Sequence, residues 1–400
     1  MWSSFKVAGL TLLATIYYLI SDQYIFAPRY VIKKPETFKG NNFYNPYENL
    51  SLSNTFPINL HGHTQAWQGF TNGKGNSDLA KKKYDSLGFY YSAISQYHFV
   101  ENKNDKIKVY EHGININKTH QLILGSNNVI WKDYVLPQTL NQKQHILNLL
   151  SEDTNSVICI NHPGIRGGYK INDFKYLQQY HLMEGLRPNH NFTNYWDTAL
   201  TYGHPVTLIA NDDFHNVYND SELGNHLTLL FKKYENELSL LQALKKGQCA
   251  SVSLNHKSSA NLIQRKQKIE RLQKLISEIE IKRDTINVQL NEPLTIKWRS
   301  NKGLLKQTTN SSYDFYKPSP KDTYVRIEIT TKDSIEVYFN PLYRSDKGKY
   351  INRNSMAILY LKKNILTNAT IIGGNLMLTI LVLSLIIKFF SRKKRNLLNS

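Results

Sequence analysis

An α/β fold of barrel type is what this sequence predicts, with an apolar run near each end. Three observations carry the prediction. Between residues 57 and 255, short β-rich runs alternate with helix-like ones, the grammar of strands joined by crossover helices. These runs repeatedly empty into metal-binding residue types, at His61 and His63, His98, His162, Asp213 and His215. Barrels of alternating strands and helices place their chemistry at such strand ends. The apolar run at 7–20 has the length of a signal-peptide core, short for a full span, and that at 369–387 the length of a membrane span.

Composition narrows the class. Of 400 residues, 41% are hydrophobic and 12% aromatic, which suits buried cores and excludes a disordered chain. A net charge of +19 favours anionic partners such as phosphorylated substrates, nucleic acid or an anionic membrane face. A Lys- and Asn-rich solvated surface explains the same number. Two cysteines, Cys159 and Cys249, rule out a disulfide framework and leave room for a single bridge.

The elements follow in order. The 14 apolar residues 7–20 come after Lys6 and match the core of a signal peptide. Residues 1–25 are therefore read as a signal anchor or a removed signal, and 26–56, rich in Asn, Tyr and Pro, as a polar linker. Residues 57–60 form a strand that runs into His61-Gly62-His63. Side chains two apart on a strand share a face, so both imidazoles can reach one ion. A helix over 78–87 stops at Gly88, and a β-rich run over 89–95 ends at Gln96-Tyr97-His98.

Strands are predicted at 106–110, leading to Glu111-His112-Gly113, and at 120–125, opened by His120. A helix spans 140–150. A buried strand over 156–160 delivers Asn161-His162-Pro163, and a polar helix lies near 171–180. The run 182–185 contains Glu184, a helix covers 196–202, and a strand over 205–210 empties into Asn211-Asp212-Asp213-Phe214-His215. A strand at 227–231 and a helix at 237–247 close this unit, 57–255.

The rest changes character. In 256–288, Leu262, Ile269 and Ile276, with Leu272, Ile279 and Ile286 between them, make an apolar stripe at heptad spacing. That predicts one long helix over 259–286, packed on the chain's own domains or paired as a homodimer. Residues 289–362 alternate apolar and polar positions at 294–298, 324–330 and 334–339, which predicts a small antiparallel β domain. Residues 366–390 form a transmembrane helix, and 391–400 a basic tail containing Arg392-Lys393-Lys394-Arg395. Basic residues stay on the cytoplasmic side, so the chain is expected to be membrane-anchored, its main domain extracytoplasmic and its C-terminus cytoplasmic.

The ordered motifs Leu60-His61-x-His63-Thr64, Ile94-Ser95-x-x-His98, a Gly-containing turn before His120, Asn161-His162-Pro163 and Asp213-x-His215 resemble the polymerase and histidinol phosphatase (PHP) family of metal-dependent phosphoesterases. The resemblance covers about half the chain. It implies a distorted (β/α)-barrel with fewer strands than an eightfold one, holding two or three ions of zinc, manganese or iron. It implies that His61 and His63 share one ion with Asp213, that His98, His162 and His215 complete the others, and that His120 is a further ligand.

Such a cluster suits phosphate esters, whose negative charge repels nucleophiles unless cations lower the pKa of water and neutralise the oxygens. Arg166, in the Gly-rich turn after His162, is a candidate phosphate clamp. One departure stands out. The family's bridging glutamate on a Gly-hydrophobic-Glu turn is Asn115 here, and Glu111 is the nearby carboxylate able to act as ligand or support. The expected activity is hydrolysis of a phosphorylated small molecule or polymer. A weakened metal- or ligand-binding module and a nuclease are the alternatives.

Overall fold

The computed structural model describes residues 2–31, 36–71, 73–101, 106–254 and 261–352, with 362–363, 369, 373–377, 379–380, 383–384 and 386–387. The strands are β1 (Phe56–Asn59), β2 (Tyr91–Ser92), β3 (Val109–His112), β4 (Gln121–Leu124), β5 (Val157–Ile160), β6 (Leu182–Arg187), β7 (Thr207–Ala210), β8 (His226–Leu230) and β9 (Cys249–Ser253). Beyond them lie β10 (Ile276–Lys282), β11 (Thr285–Ser300), β12 (Gly303–Tyr316), β13 (Tyr324–Thr330), β14 (Glu336–Phe339) and β15 (Leu342–Ser345). Helices are α1 (Trp2–Ile20), α2 (Ser77–Ser86), α3 (Leu140–Leu150), α4 (Thr193–Thr201), α5 (Glu237–Lys245) and α6 (Leu262–Leu272).

Two mixed sheets form. The six-stranded sheet follows the path β7-β6-β5-β4-β3, with His190–Asn191 folded back on β6. It is parallel from β7 to β5 and antiparallel from β5 to β3. The eleven-stranded sheet follows β10-β11-β13-β14-β9-β8-β1-β2, with β12 on β11 and β15 carrying Asn42–Tyr44 on β13. Its β1–β2 pairing is parallel and the others are antiparallel.

This corrects the (β/α)-barrel expected from the alternation. A barrel of that kind returns each strand parallel to the last through a crossover of a dozen or more residues. Here β3 turns into β4 through 113–120 and runs antiparallel to it. Even with α5 between them, β8 and β9 are antiparallel. The strands of the 289–362 region are antiparallel, and through β14 they join β9 in one continuous sheet.

The predicted long helix is also corrected. It ends at Leu272, and Ile276 begins β10, which turns at Arg283 and Asp284 into β11. Ile276, Ile279 and Ile286 hold the heptad positions, and Ile276, Ile279 and Ile281 lie on β10 with Ile286 on β11. β-branched residues favour the pleated surface, and these isoleucines pack into the apolar core with Trp298. The helical homodimer seam is thereby removed.

Among the described residues, no helix is long and apolar enough to cross a membrane. That corrects the membrane-anchor reading of 1–25 and the anchored placement expected with it. The segment 366–390 falls mostly outside the described residues, and the tail 391–400 wholly so.

Buried strands explain where the core sits. Along β4 and β5, Ile123, Ile158 and Ile160 face one apolar cluster while Leu122, Leu124, Val157 and Cys159 face another. A strand buried on both faces reads as a continuous apolar run for this reason. Both cysteines are free and buried.

The sheets meet at their strand ends. Bridges join Gly62 to Phe214 and Tyr97 to Glu111. Side chains satisfy backbone donors that no strand covers: Leu60 N–H donates to Asn211 Oδ1 at 2.7 Å, Asp212 N–H to Asn59 Oδ1 at 2.9 Å, and Leu208 N–H to Asn340 Oδ1 at 2.7 Å.

Candidate metal centre

At that seam lie His61, His63, Glu111, His120, His162, Asp213 and His215. They fall into four overlapping groups, His61/His63/Glu111, His61/His162/Asp213, His63/Asp213/His215 and Glu111/His120/His162, each with its ligand atoms within 4.8 Å of one another. These buried His, Glu and Asp groups could hold a metal ion.

Each element contributes for a local reason. After β1, Gly62 lets the chain pass against Phe214, since a Cβ there would stand 1.9 Å from the Phe214 ring. His61 and His63 flank it and turn inward together. Gly113 has φ +135°, and a Cβ there would meet the His120 ring at 2.6 Å. Only glycine brings the end of β3 that close to His120. Two other residues of the cluster sit in strained backbone, His162 at φ 28° and Asp213 at φ 49°.

The turn at Asp213 is held from beneath by Asp212. Its buried carboxylate accepts the Tyr84 hydroxyl at 2.6 Å and the Asn225 and His226 N–H groups at 2.8 and 2.9 Å. Burial pushes its pKa up to about 6.

Glu111 is the shared member. Its Oε2 lies 3.2 Å from His63 Nε2, while Oε1 lies 3.2 Å from His61 Nε2, 3.1 Å from His120 Nδ1 and 3.5 Å from His162 Nε2. Asn161 Nδ2 donates to the same Oε1 at 2.9 Å. Asp213 Oδ1 stands 3.3 Å from His61 Nε2 and 3.5 Å from His63 Nε2.

The donor set fits a cation. His61 Nδ1 lies 2.9 Å from Glu184 Oε1, which turns its Nε2 towards the cluster. The Nε2 atoms of His61 and His63 are 3.3 Å apart. Two nitrogens each about 2.0–2.1 Å from one tetrahedral ion would be about 3.3 Å apart. Among the described residues, Glu111 Oε2 and His162 Nδ1 are buried and find no hydrogen-bond partner. Such orphans are costly unless something else satisfies them.

Electrostatics agree. Burial opposes charge on His61, but Glu184, Asp213 and Glu111 outweigh it and hold the imidazole pKa well above its usual range. Burial likewise opposes ionisation of Glu111, and His120 and His61 outweigh it, so the carboxyl stays well below its usual range. Asp213 is lowered too, against burial, by His61, His63, His162 and Arg187. Negative carboxylates thus draw positive charge into the buried cluster.

His98 and Arg166 lie apart from the cluster. His98 has φ 49°, which turns its side chain away; Nδ1 bonds Ile130 O at 3.1 Å and Nε2 accepts the Gly113 N–H at 3.1 Å. Its neighbour Tyr97 faces the site instead, stacked on His63 at 4.6 Å. Arg166 is exposed on the turn Ile165–Gly167 and its side chain makes no ion pair among the described residues. Arg187 takes the nearer place, with NH2 2.8 Å from Asp213 Oδ2.

Asn115, where the motif expects a bridging carboxylate, caps a loop: its Nδ2 donates to the carbonyls of Tyr134 at 2.7 Å and Leu136 at 2.6 Å. Sequence reasoning missed Tyr97 and Arg187. The first was overshadowed by the adjacent histidine, and the second lay beyond the predicted end of the strand, which runs on to Arg187.

A cleft of about 690 Å³ elsewhere, between 41–50 and the β10–β11 turn, contains no histidine. No family model matches the chain. No curated protein matches it. A solved structure, PsfC from Pseudomonas syringae PB-5123, is similar at 12% identity and a TM-score of 0.37, over 55% of this chain and 98% of that one.

Proposed function

We propose that this chain is a metal-dependent phosphoesterase. The observation that carries the reading is Glu111, buried and common to two ligand groups, with its two oxygens directed at different histidines. A carboxylate so placed suits adjacent cations. In this reading His61, His63, Asp213 and Glu111 hold one ion, Glu111, His120 and His162 a second, and His215 supports a third position. Zinc, manganese and iron suit the mixed imidazole and carboxylate donors.

A bound divalent cation supplies an acidified water and neutralises charge on the phosphate oxygens. The chain's own groups do the rest. Glu184 orients His61, and Asn211 Nδ2 holds Glu184 Oε1 at 3.0 Å. Arg187, whose buried Nε has no partner among the described residues, has a donor to offer a phosphate oxygen. Tyr97 remains a neutral phenol, since burial and then Glu111 and Asp213 raise its pKa. Its ring covers one face of His63.

The PHP likeness of the motifs supports the same chemistry, and Glu111 in the cluster supplies the carboxylate that Asn115 does not. The test is phosphate release from generic phosphomonoesters and phosphodiesters by the purified full chain, stripped and then loaded with each metal. Turnover that depends on metal and is lost in Asp213→Asn supports the reading; bound metal without turnover on either ester class overturns it.

A further inference from the structure

The cleft of about 690 Å³ between residues 41–50 and the β10–β11 turn lies within the roughly 300–1,000 Å³ of small-molecule sites. Its walls are fixed. From one wall, Asn45 Nδ2 donates to Ile279 O of the other at 3.1 Å. The Tyr47 hydroxyl donates to Cys249 O at 3.0 Å and accepts the Asn340 N–H at 2.6 Å. Arg344 donates to the carbonyls of Asp322 at 2.8 Å and Ser319 at 2.9 Å, and its guanidinium lies 4.8 Å from the Phe43 ring centre. A site already held in shape loses little further freedom when a ligand arrives.

Its charged side chains are Glu48, Glu278, Glu280 and Asp284 against Arg283, Arg344 and Lys347. In a chain of net charge +19, a cavity with more carboxylates than cations is a poor place for an anion. Glu280 and Asp284 are already paired, with Lys282 and Lys317. Glu48 and Glu278 stand on opposite walls and make no hydrogen bond among the described residues, and the side chains of Asn41, Asn42 and Asn49 make none either. Amides donate and accept, and carboxylates accept. Such groups together match adjacent hydroxyls, each of which also donates and accepts.

Between these polar groups, buried Ile279 and Ile286 add aliphatic surface to the lining. Of the aromatic rings, Tyr47 is 2% exposed and Phe43 carries Arg344. The cleft therefore suits C–H faces edged with hydroxyls better than a flat ring, and its volume accommodates more than one sugar unit.

We infer that this cleft binds a neutral oligosaccharide, its C–H faces on Ile279 and Ile286 and its hydroxyls on Glu48, Glu278 and the rim asparagines. The site is separate from the metal centre and independent of the phosphoesterase reading, since no histidine lines it.

The test is calorimetric titration of the full chain with maltotriose, cellotriose and triacetylchitotriose, with trilysine and glucose 6-phosphate as charged comparisons. At least one neutral trisaccharide is expected to bind, with the same affinity before and after chelation of metal. Glu278 is exposed, so Glu278→Ala should keep the wild-type melting temperature while weakening that binding about 10- to 100-fold, and Glu278→Gln should weaken it less. No binding of any trisaccharide, or equal binding by wild type and Glu278→Ala, overturns the inference. Preferred binding of trilysine overturns it in favour of a cationic peptide, and affinity that disappears with the metal overturns it by placing the sugar elsewhere.

Discussion

Single side chains decide the site's chemistry through their second contacts. Glu184 touches His61 on the side away from the cluster, so Glu184→Gln should leave the fold intact and weaken metal binding about 10- to 100-fold, measured by competition with a chromogenic chelator. Glu111→Ala should reduce bound metal and abolish turnover together, and elemental analysis showing full metal content would remove Glu111 from the ligand set. His98 reports on acid stability instead. Burial, and then His112, hold its pKa down to about 4. The unfolded chain takes up that proton near pH 6.5 and the folded chain resists it, so stability contributed by neutral His98 is intact above about pH 6.5 and falls as pH drops towards 4. Urea midpoints taken across that window should fall less steeply in His98→Asn than in the wild type.

Between elements, a few buried contacts set the register. Arg326, 1% exposed on β13, forks onto Asp197 of α4 with two 2.7 Å bonds and also pairs with Glu328. Asp197→Asn should cost about 3 kcal/mol in urea unfolding by leaving that guanidinium short of charge. Gly62→Ala drives a methyl into the Phe214 ring and should cost about 1–3 kcal/mol while displacing both neighbouring ligands, so loss of metal should accompany loss of stability. Strand and helix positions were largely legible from the sequence: the helix over 140–150 matches α3, and the run 324–330 matches β13. The misreading at 259–286 has a definite cause. Six apolar residues at heptad spacing suit a helix, but the isoleucines after Leu275 find their partners across β11, and spacing alone does not reveal partners.

For the molecule as a whole, the candidate metal centre lies at the seam between two sheets. Stripping metal should therefore lower the melting temperature as well as activity, because ligand binding to the folded state alone adds about 2.7 kcal/mol at a hundredfold excess over Kd. Calorimetry before and after chelation and reloading checks this. A melting temperature indifferent to metal would mean that the cluster is satisfied without a cation.

From the sequence alone came the histidine pairs, their carboxylate partner Asp213 and the strands that deliver them, because two-residue spacing and apolar runs are local properties. Which strands pair, and hence an open two-sheet architecture in place of a barrel, depended on tertiary contacts between distant segments. So did the inward turn of Tyr97 over His98, the arrival of Arg187, and the promotion of Glu111 to the centre of the cluster. A side chain's direction at a strand end depends on one backbone angle and on the neighbour it meets, and neither is written in the spacing of residues.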